Sequence, residues 1–135
     1  MAFTYLANPV VTINSVDCSD QTTAATLNRV TESLEATAFG ATARTYTAGL
    51  QNNEVTITMY QSYAATETYA TLAALVGTTT TITLKPATGT TTATNPLFTL
   101  TGCYLETLPI VNASLGELST IDITFTGGTY SVATA

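Results

Sequence analysis

The residue types that could do chemistry in this chain are few, and their spacing argues against catalysis. Histidine is absent, which removes the side chain most used for proton transfer near neutral pH and the commonest metal ligand. A serine nucleophile without an imidazole would need lysine as its base. The sole lysine, Lys85, ends an alternating run just before Pro86 and reads as a solvated strand end. Asp17 and Asp20 bracket Ser19, but the regular oxygen spacing and closing bidentate glutamate of a calcium loop are missing; the cluster reads as a turn or cap. Glu32 with Glu35, or Glu54 with Glu67 or Glu106, could form a glycosidase carboxylate pair. With no tryptophan as a sugar platform, they read instead as solvated faces. Asn112-Ala113-Ser114 matches a glycosylation acceptor, a chance match where residues 1–8 show no secretory signal. Gly127-Gly128 follows a strand-like run with no helix after it, so no phosphate loop is expected. The expectation is a protein that is not an enzyme, with no catalytic residue, cofactor or metal.

Cys18 and Cys103 stand far apart, outside any Cys-x-x-Cys or Cys/His grouping. They read as buried or half-buried apolar fillers. Whether they form a disulfide is a matter of geometry that spacing does not give.

Composition points to a β-rich subunit that packs against copies of itself. Hydrophobic residues make up 45% of the 135 and charged residues only 9%, against roughly 25% charged in an ordinary soluble domain. Threonine, about a quarter of the chain, supplies much of the polarity, and its branched Cβ favours strands. Three cations, Arg29, Arg44 and Lys85, face nine carboxylates, so no basic patch is available to neutralise phosphates. No apolar run approaches the roughly 20 residues of a membrane-spanning helix. One domain over 1–135 is expected, with flexible arms at 1–8 and 129–135.

The elements that must position these residues follow from periodicity. Val10–Ile13, Asn14-Ser15 and Val16–Cys18 predict a hairpin. Residues 22–37 predict two strands or one long bent ribbon, with a helix as the competing reading through Leu27, Val30 and Leu34. Residues 38–50, with two glycines and little periodicity, predict a long loop. Glu54–Tyr60 alternates cleanly, with Val55, Ile57 and Met59 inward. A flanking helix is expected at about 66–76, because Tyr69, Leu72, Ala73 and Val76 recur at helical spacing ahead of Gly77. Thr80–Lys85, Leu97–Thr107 and Leu118–Phe125 predict further strands. Residues 86–96 predict an exposed loop, mobile in the monomer, and Asn112–Glu117 a turn. In the 97–107 run, simple alternation puts Phe98, Leu100, Gly102 and Tyr104 on one face and Leu97, Thr99, Thr101, Cys103 and Leu105 on the other.

An ordered set of short segments carries a resemblance across nearly the whole chain. It runs Val-Thr-Ile-Asn-Ser-Val-Asp-Cys-Ser-Asp (11–20), Thr-Leu-Asn-Arg (26–29), Glu-Ala-Thr-Ala-Phe-Gly (35–40) and Ala48-Gly49-Leu50. Tyr-Gln-Ser-Tyr-Ala-Ala (60–65), Val-Gly-Thr-Thr (76–79), Lys85-Pro86 and Ala-Thr-Asn-Pro (93–96) complete it. In this order the chain resembles the tail tube (major tail) proteins of long-tailed bacteriophages. The resemblance implies a mainly β, sandwich- or barrel-like fold with one flanking helix, hexameric rings, and stacking of rings into a hollow tube through which DNA passes without specific binding. It also implies synthesis in the host bacterial cytoplasm, residence in the virion, and tape measure, tail terminator and distal tail proteins as partners. Within it, Phe39, Arg44 and Tyr46 are the expected ring-stacking residues, Phe39 and Tyr46 as apolar anchors and Arg44 as partner to an acid of the next subunit. The rival reading is a capsid decoration protein or another β-rich binding module.

Overall fold

The computed structural model describes residues 9–113 and 115–135. The expected N-terminal arm, 1–8, and Ser114 of the glycosylation-like triplet lie outside the described residues.

β1 (Val10–Ile13) and β2 (Val16–Asp17) form the expected hairpin. Asn14 and Ser15 hold φ at 50° and 67°, the left-handed pair a two-residue connection needs. Residues 22–37 resolve into β3 (Thr22–Asn28) and β4 (Thr31–Glu35), each paired with a later strand, β5 (Tyr46–Gln51) or β6 (Glu54–Tyr60). Five of the thirteen residues of the region expected as a loop, 38–50, are therefore strand.

The flanking helix is shorter and turned relative to expectation. Instead of 66–76, α1 spans Thr68–Leu72 and buries Thr68 and Leu72, with Leu75 beyond its end, while Tyr69 and Val76 stay exposed. Two bonds fix its start: the Thr68 hydroxyl donates to the Tyr60 carbonyl at 2.7 Å, and the Tyr69 amide to the Ser62 carbonyl at 2.9 Å. After it the chain tightens into three-residue turns, Leu75 to Leu72 and Thr78 to Leu75, each 3.0 Å. The heptad-like spacing is used once and then abandoned.

β7 (Thr79–Lys85), β8 (Leu97–Leu105), β9 (Thr120–Thr126) and β10 (Thr129–Ala133) complete the elements. Among the described residues, strand-to-strand pairing in the main sheet is antiparallel, in the order β2-β1-β7-β8-β9-β6-β3, with β10 added to β8. Val11 and Ile13 near one edge share a core with Val55, Ile57 and Met59 near the other, so the sheet curls on itself into a barrel-like wall. Ile82, Leu100, Ile121, Ile123 and Phe125 fill it, and Leu72 and Leu75 join the same core. The fold is mainly β, as expected.

Simple alternation fails in β8. Thr81 pairs with Thr101 but Thr80 with Cys103, leaving Gly102 as an extra residue at φ 78°. Such a bulge moves every later side chain to the opposite face. Leu100, Cys103 and Leu105 are consequently all buried, and Tyr104 is exposed. The two-faced apolar strand expected from the sequence becomes a strand with one consistently apolar face.

Two segments expected to be free are held. The C-terminal arm, 129–135, contributes β10, which pairs from Thr129 opposite Thr101 to Ala133 opposite Leu97. Its Tyr130 ring stacks on Phe98 at 6.3 Å between centroids, and the Arg29 guanidinium lies over the same Tyr130 ring, 4.8 Å from its centre. The 86–96 loop is tied by a side chain rather than an apolar anchor. The Asn95 amide accepts from the Ala87 amide at 3.1 Å and donates to the carbonyls of Ala87 and Thr90 at 3.0 and 3.3 Å. Lys85 also donates to the Gly89 carbonyl.

Candidate assembly interface

The β3–β6 ladder does not stop at the body. It ends with Asn28 opposite Glu54 and resumes with Thr31 opposite Gln51, running to Glu35 opposite Tyr46. β4 and β5 thus form a two-stranded arm continuing the ribbon outward. Every residue from Asn28 to Ala48 is exposed, so neither face of the arm is covered by its own chain. A hairpin alone is marginally stable in water, and both of its outer edges carry unpaired backbone groups.

The expected stacking residues all sit on this arm. Phe39 lies in the tip, exposed as fully as in an isolated residue, while Tyr46 and Leu50 on β5 are 59% and 80% exposed. Leu34 on β4 and Val30 at the base are also exposed. The tip is closed by the Ala36 amide to the Thr45 carbonyl at 2.8 Å and the Thr45 amide to the Thr37 hydroxyl at 2.9 Å. Tyr46 lies directly opposite Glu35. Arg44, expected to seek an acid on another subunit, lies 3.8 Å from Glu35 of its own chain, with both side chains largely in solvent. Such a pair contributes about 0–1 kcal/mol, so exchanging it for another acid costs little.

Sequence reading missed the arm's base. Asn53 is fully buried, and its side chain bonds to Val30, Gln51 and Gly128. The available signal was Gln51-Asn52-Asn53, a polar break between two β-favouring runs.

The candidate chemical groups remain bland. No carboxylate among the described residues is buried, and no group of three His, Cys, Asp or Glu among them could hold a metal. Asp17 accepts from the Ser19 amide at 2.9 Å and the Ser19 hydroxyl at 2.5 Å. These bonds hold its carboxyl below the usual carboxylate range, as a turn-closing aspartate requires. Glu67 accepts from the Ser62 hydroxyl. A cleft of about 730 Å³ separates β1 from β3 where the curled sheet fails to close, lined by Val10, Ala24, Leu84 and Phe98 among others.

Cys18 and Cys103 are both buried and both free, so the disulfide alternative is not realised. Burial raises both thiols, Cys103 from its usual 9.0 to about 11. Reaction with an aromatic disulfide reagent at pH 8 should therefore be on the order of 100-fold slower in the native protein than in urea. Because the folded thiol holds its proton more tightly, the stability it contributes is complete below pH 9 and lost as pH rises to about 11. Urea midpoints across that range read the loss, and Cys103→Ala should flatten it.

No protein-family model matches the chain, and no curated protein matches it in sequence. Solved structures do match it in shape. The cap terminating the tube of the anti-feeding prophage superposes with a TM-score of 0.70 at 12% identity, over 100% of this chain and 93% of that one. A chain of the sheath-tube complex of an extracellular contractile injection system, PVC, gives 0.68 at 10%, over 98% and 93%. A chain of the virion of a native gene transfer agent gives 0.65 at 11%, over 97% and 99%. The chain therefore has, along nearly its whole length, the fold of subunits found in phage-tail-like particles.

Proposed function

We propose that this chain is a structural, non-enzymatic subunit of a phage-tail-like tube. Copies of it close into a ring, hexameric by the resemblance, and rings stack through the β4–β5 arm into a hollow tube for DNA. The observation that carries this reading is the arm itself: a two-stranded ribbon, exposed from Asn28 to Ala48, that its own chain leaves largely uncovered. A heterologous contact of this kind closes a ring or propagates a filament, according to its rotation. Burying one aromatic such as Phe39 or Tyr46 on a neighbour contributes about 1.5–3 kcal/mol, repeated at each copy. The excess of carboxylates supports a lumen that repels DNA rather than binding it. The subunit then belongs to the virion after synthesis in the host cytoplasm, alongside tape measure, terminator and distal tail proteins.

A second reading rests on the likeness to a tube-terminating cap: a subunit that forms one ring and ends the tube. Negative-stain microscopy of the purified chain separates the two. Hollow filaments support the tube, isolated rings the terminator, and monomers that decorate capsids without forming either would sink both. Arg44→Glu combined with Tyr46→Ala should abolish filaments or rings. Because both side chains are exposed, the unassembled chain should lose no more than about 0.5 kcal/mol of stability.

A further inference from the structure

The arm joins the body where the ladder is interrupted, between the Asn28–Glu54 and Thr31–Gln51 pairs. A joint with few strand bonds should swing; beside the Asn52 amide, which donates to the Val30 carbonyl at 2.9 Å, one buried side chain gathers what holds it. The Asn53 Oδ1 accepts from the Val30 amide at 3.0 Å, and its Nδ2 donates to Gln51 Oε1 at 3.0 Å and the Gly128 carbonyl at 3.2 Å. Its backbone carbonyl accepts from the Gly127 amide at 2.8 Å. Gln51 Oε1 accepts a second bond, from the Tyr130 amide at 3.2 Å. The three segments drawn together are the β3–β4 link, the foot of β5 and the turn between β9 and β10. A buried amide is costly unless satisfied, and this one is satisfied only with all three segments in this arrangement.

We infer that Asn53 is a positioning residue, setting the angle at which the arm leaves the body by registering it against the Gly127-Gly128 turn. The inference rests on the reading of the arm as the contact between copies. Leverage makes the angle matter. From Thr31 to the tip the arm extends about 25 Å at the rise of a strand, so a swing of about 20° moves Phe39 by roughly 9 Å, far beyond what a packed contact tolerates.

The test measures the joint without assembly and then with it. Spin labels are placed on the full chain at Ala41→Cys in the tip and Thr81→Cys in β7, at concentrations below assembly; the native thiols are buried and resist labelling. The labelled parent should give a narrow distance distribution. Asn53→Ala should broaden it at least twofold, and so should Gln51→Ala, whose side chain is exposed and whose loss leaves the body folded. Filament or ring yield should fall at least tenfold in both. An unchanged width in Gln51→Ala and in folded Asn53→Ala overturns the inference, as does a broadened width with undiminished assembly where Arg44→Glu/Tyr46→Ala itself fails to assemble. The Arg44→Glu/Tyr46→Ala variant isolates the other failure. If it assembles normally while the joint variants broaden, the arm is not the contact, and the hold of Asn53 on the joint stands.

Discussion

Phe125→Ala should lower the unfolding free energy by about 3–5 kcal/mol, within the usual range for deleting a fully buried aromatic. Phe125 has no exposed surface and pairs with Val55 of β6 on one side and Leu105 of β8 on the other. It therefore stands where β9 bridges the two halves of the curled sheet, with polar backbone on both flanks and little freedom to collapse into the space left. Against a typical stability of about 5–15 kcal/mol, the loss is roughly a fifth or more of the total. Urea denaturation followed by far-UV circular dichroism checks it, and a shift below about 1 kcal/mol would contradict the packing described. The neighbouring Asp122, exposed on the same strand, supplies the contrast: Asp122→Asn should change stability by less than about 0.5 kcal/mol.

The second large effect belongs to a residue with no side chain. Gly128 holds φ at 84°, and a Cβ placed on it would lie 2.7 Å from the Thr101 carbonyl oxygen and 3.0 Å from the Cys103 amide nitrogen. Both obstacles are backbone of the Gly102 bulge, which the β7 and β10 ladders fix on either side. Alanine here combines left-handed strain, about 1–2 kcal/mol, with a contact that only a backbone shift relieves, and about 3 kcal/mol or more in total is expected. Gly40 in the arm tip has almost the same φ, 86°, with nothing within 4 Å of the added carbon. Gly40→Ala should therefore cost only about 1 kcal/mol. The difference between the two substitutions isolates the clash from the dihedral; equal losses would refute the close approach of β10's lead-in to the bulge. Since the Gly128 carbonyl also accepts from Asn53, the same substitution should loosen the arm.

The strands whose partners lie on a regular ladder were legible in advance. In β6, Val55, Ile57 and Met59 face inward as their alternation requires, and β9 does the same with Ile121, Ile123 and Phe125. β8 was misread because periodicity carries no mark for an inserted residue. A glycine at 102 was visible, but whether it continues the pleat or bulges depends on β7 beside it. The helix was misread for a related reason: helical spacing existed over 66–76, while hydrogen bonds from Thr68 and Tyr69 to the Tyr60 and Ser62 carbonyls chose which turn to keep. The arm was half seen. Phe39, Arg44 and Tyr46 were placed together on a segment taken for a loop, and the structure puts Tyr46 in a strand opposite Glu35.

The amino-acid sequence by itself determined that this protein is β-rich, poor in charge, acidic in balance and without histidine, because these are properties of residue type that no folding alters. It also determined the inward faces of the regular strands, since a period of two survives wherever a ladder is unbroken. Tertiary structure alone decided the bulge at Gly102, the docking of β10, the free state of Cys18 and Cys103, and the anchoring of the arm through Asn53. Each of these depends on a partner far away in the chain, and the partner's backbone position, rather than any local preference, selects among conformations of similar local energy.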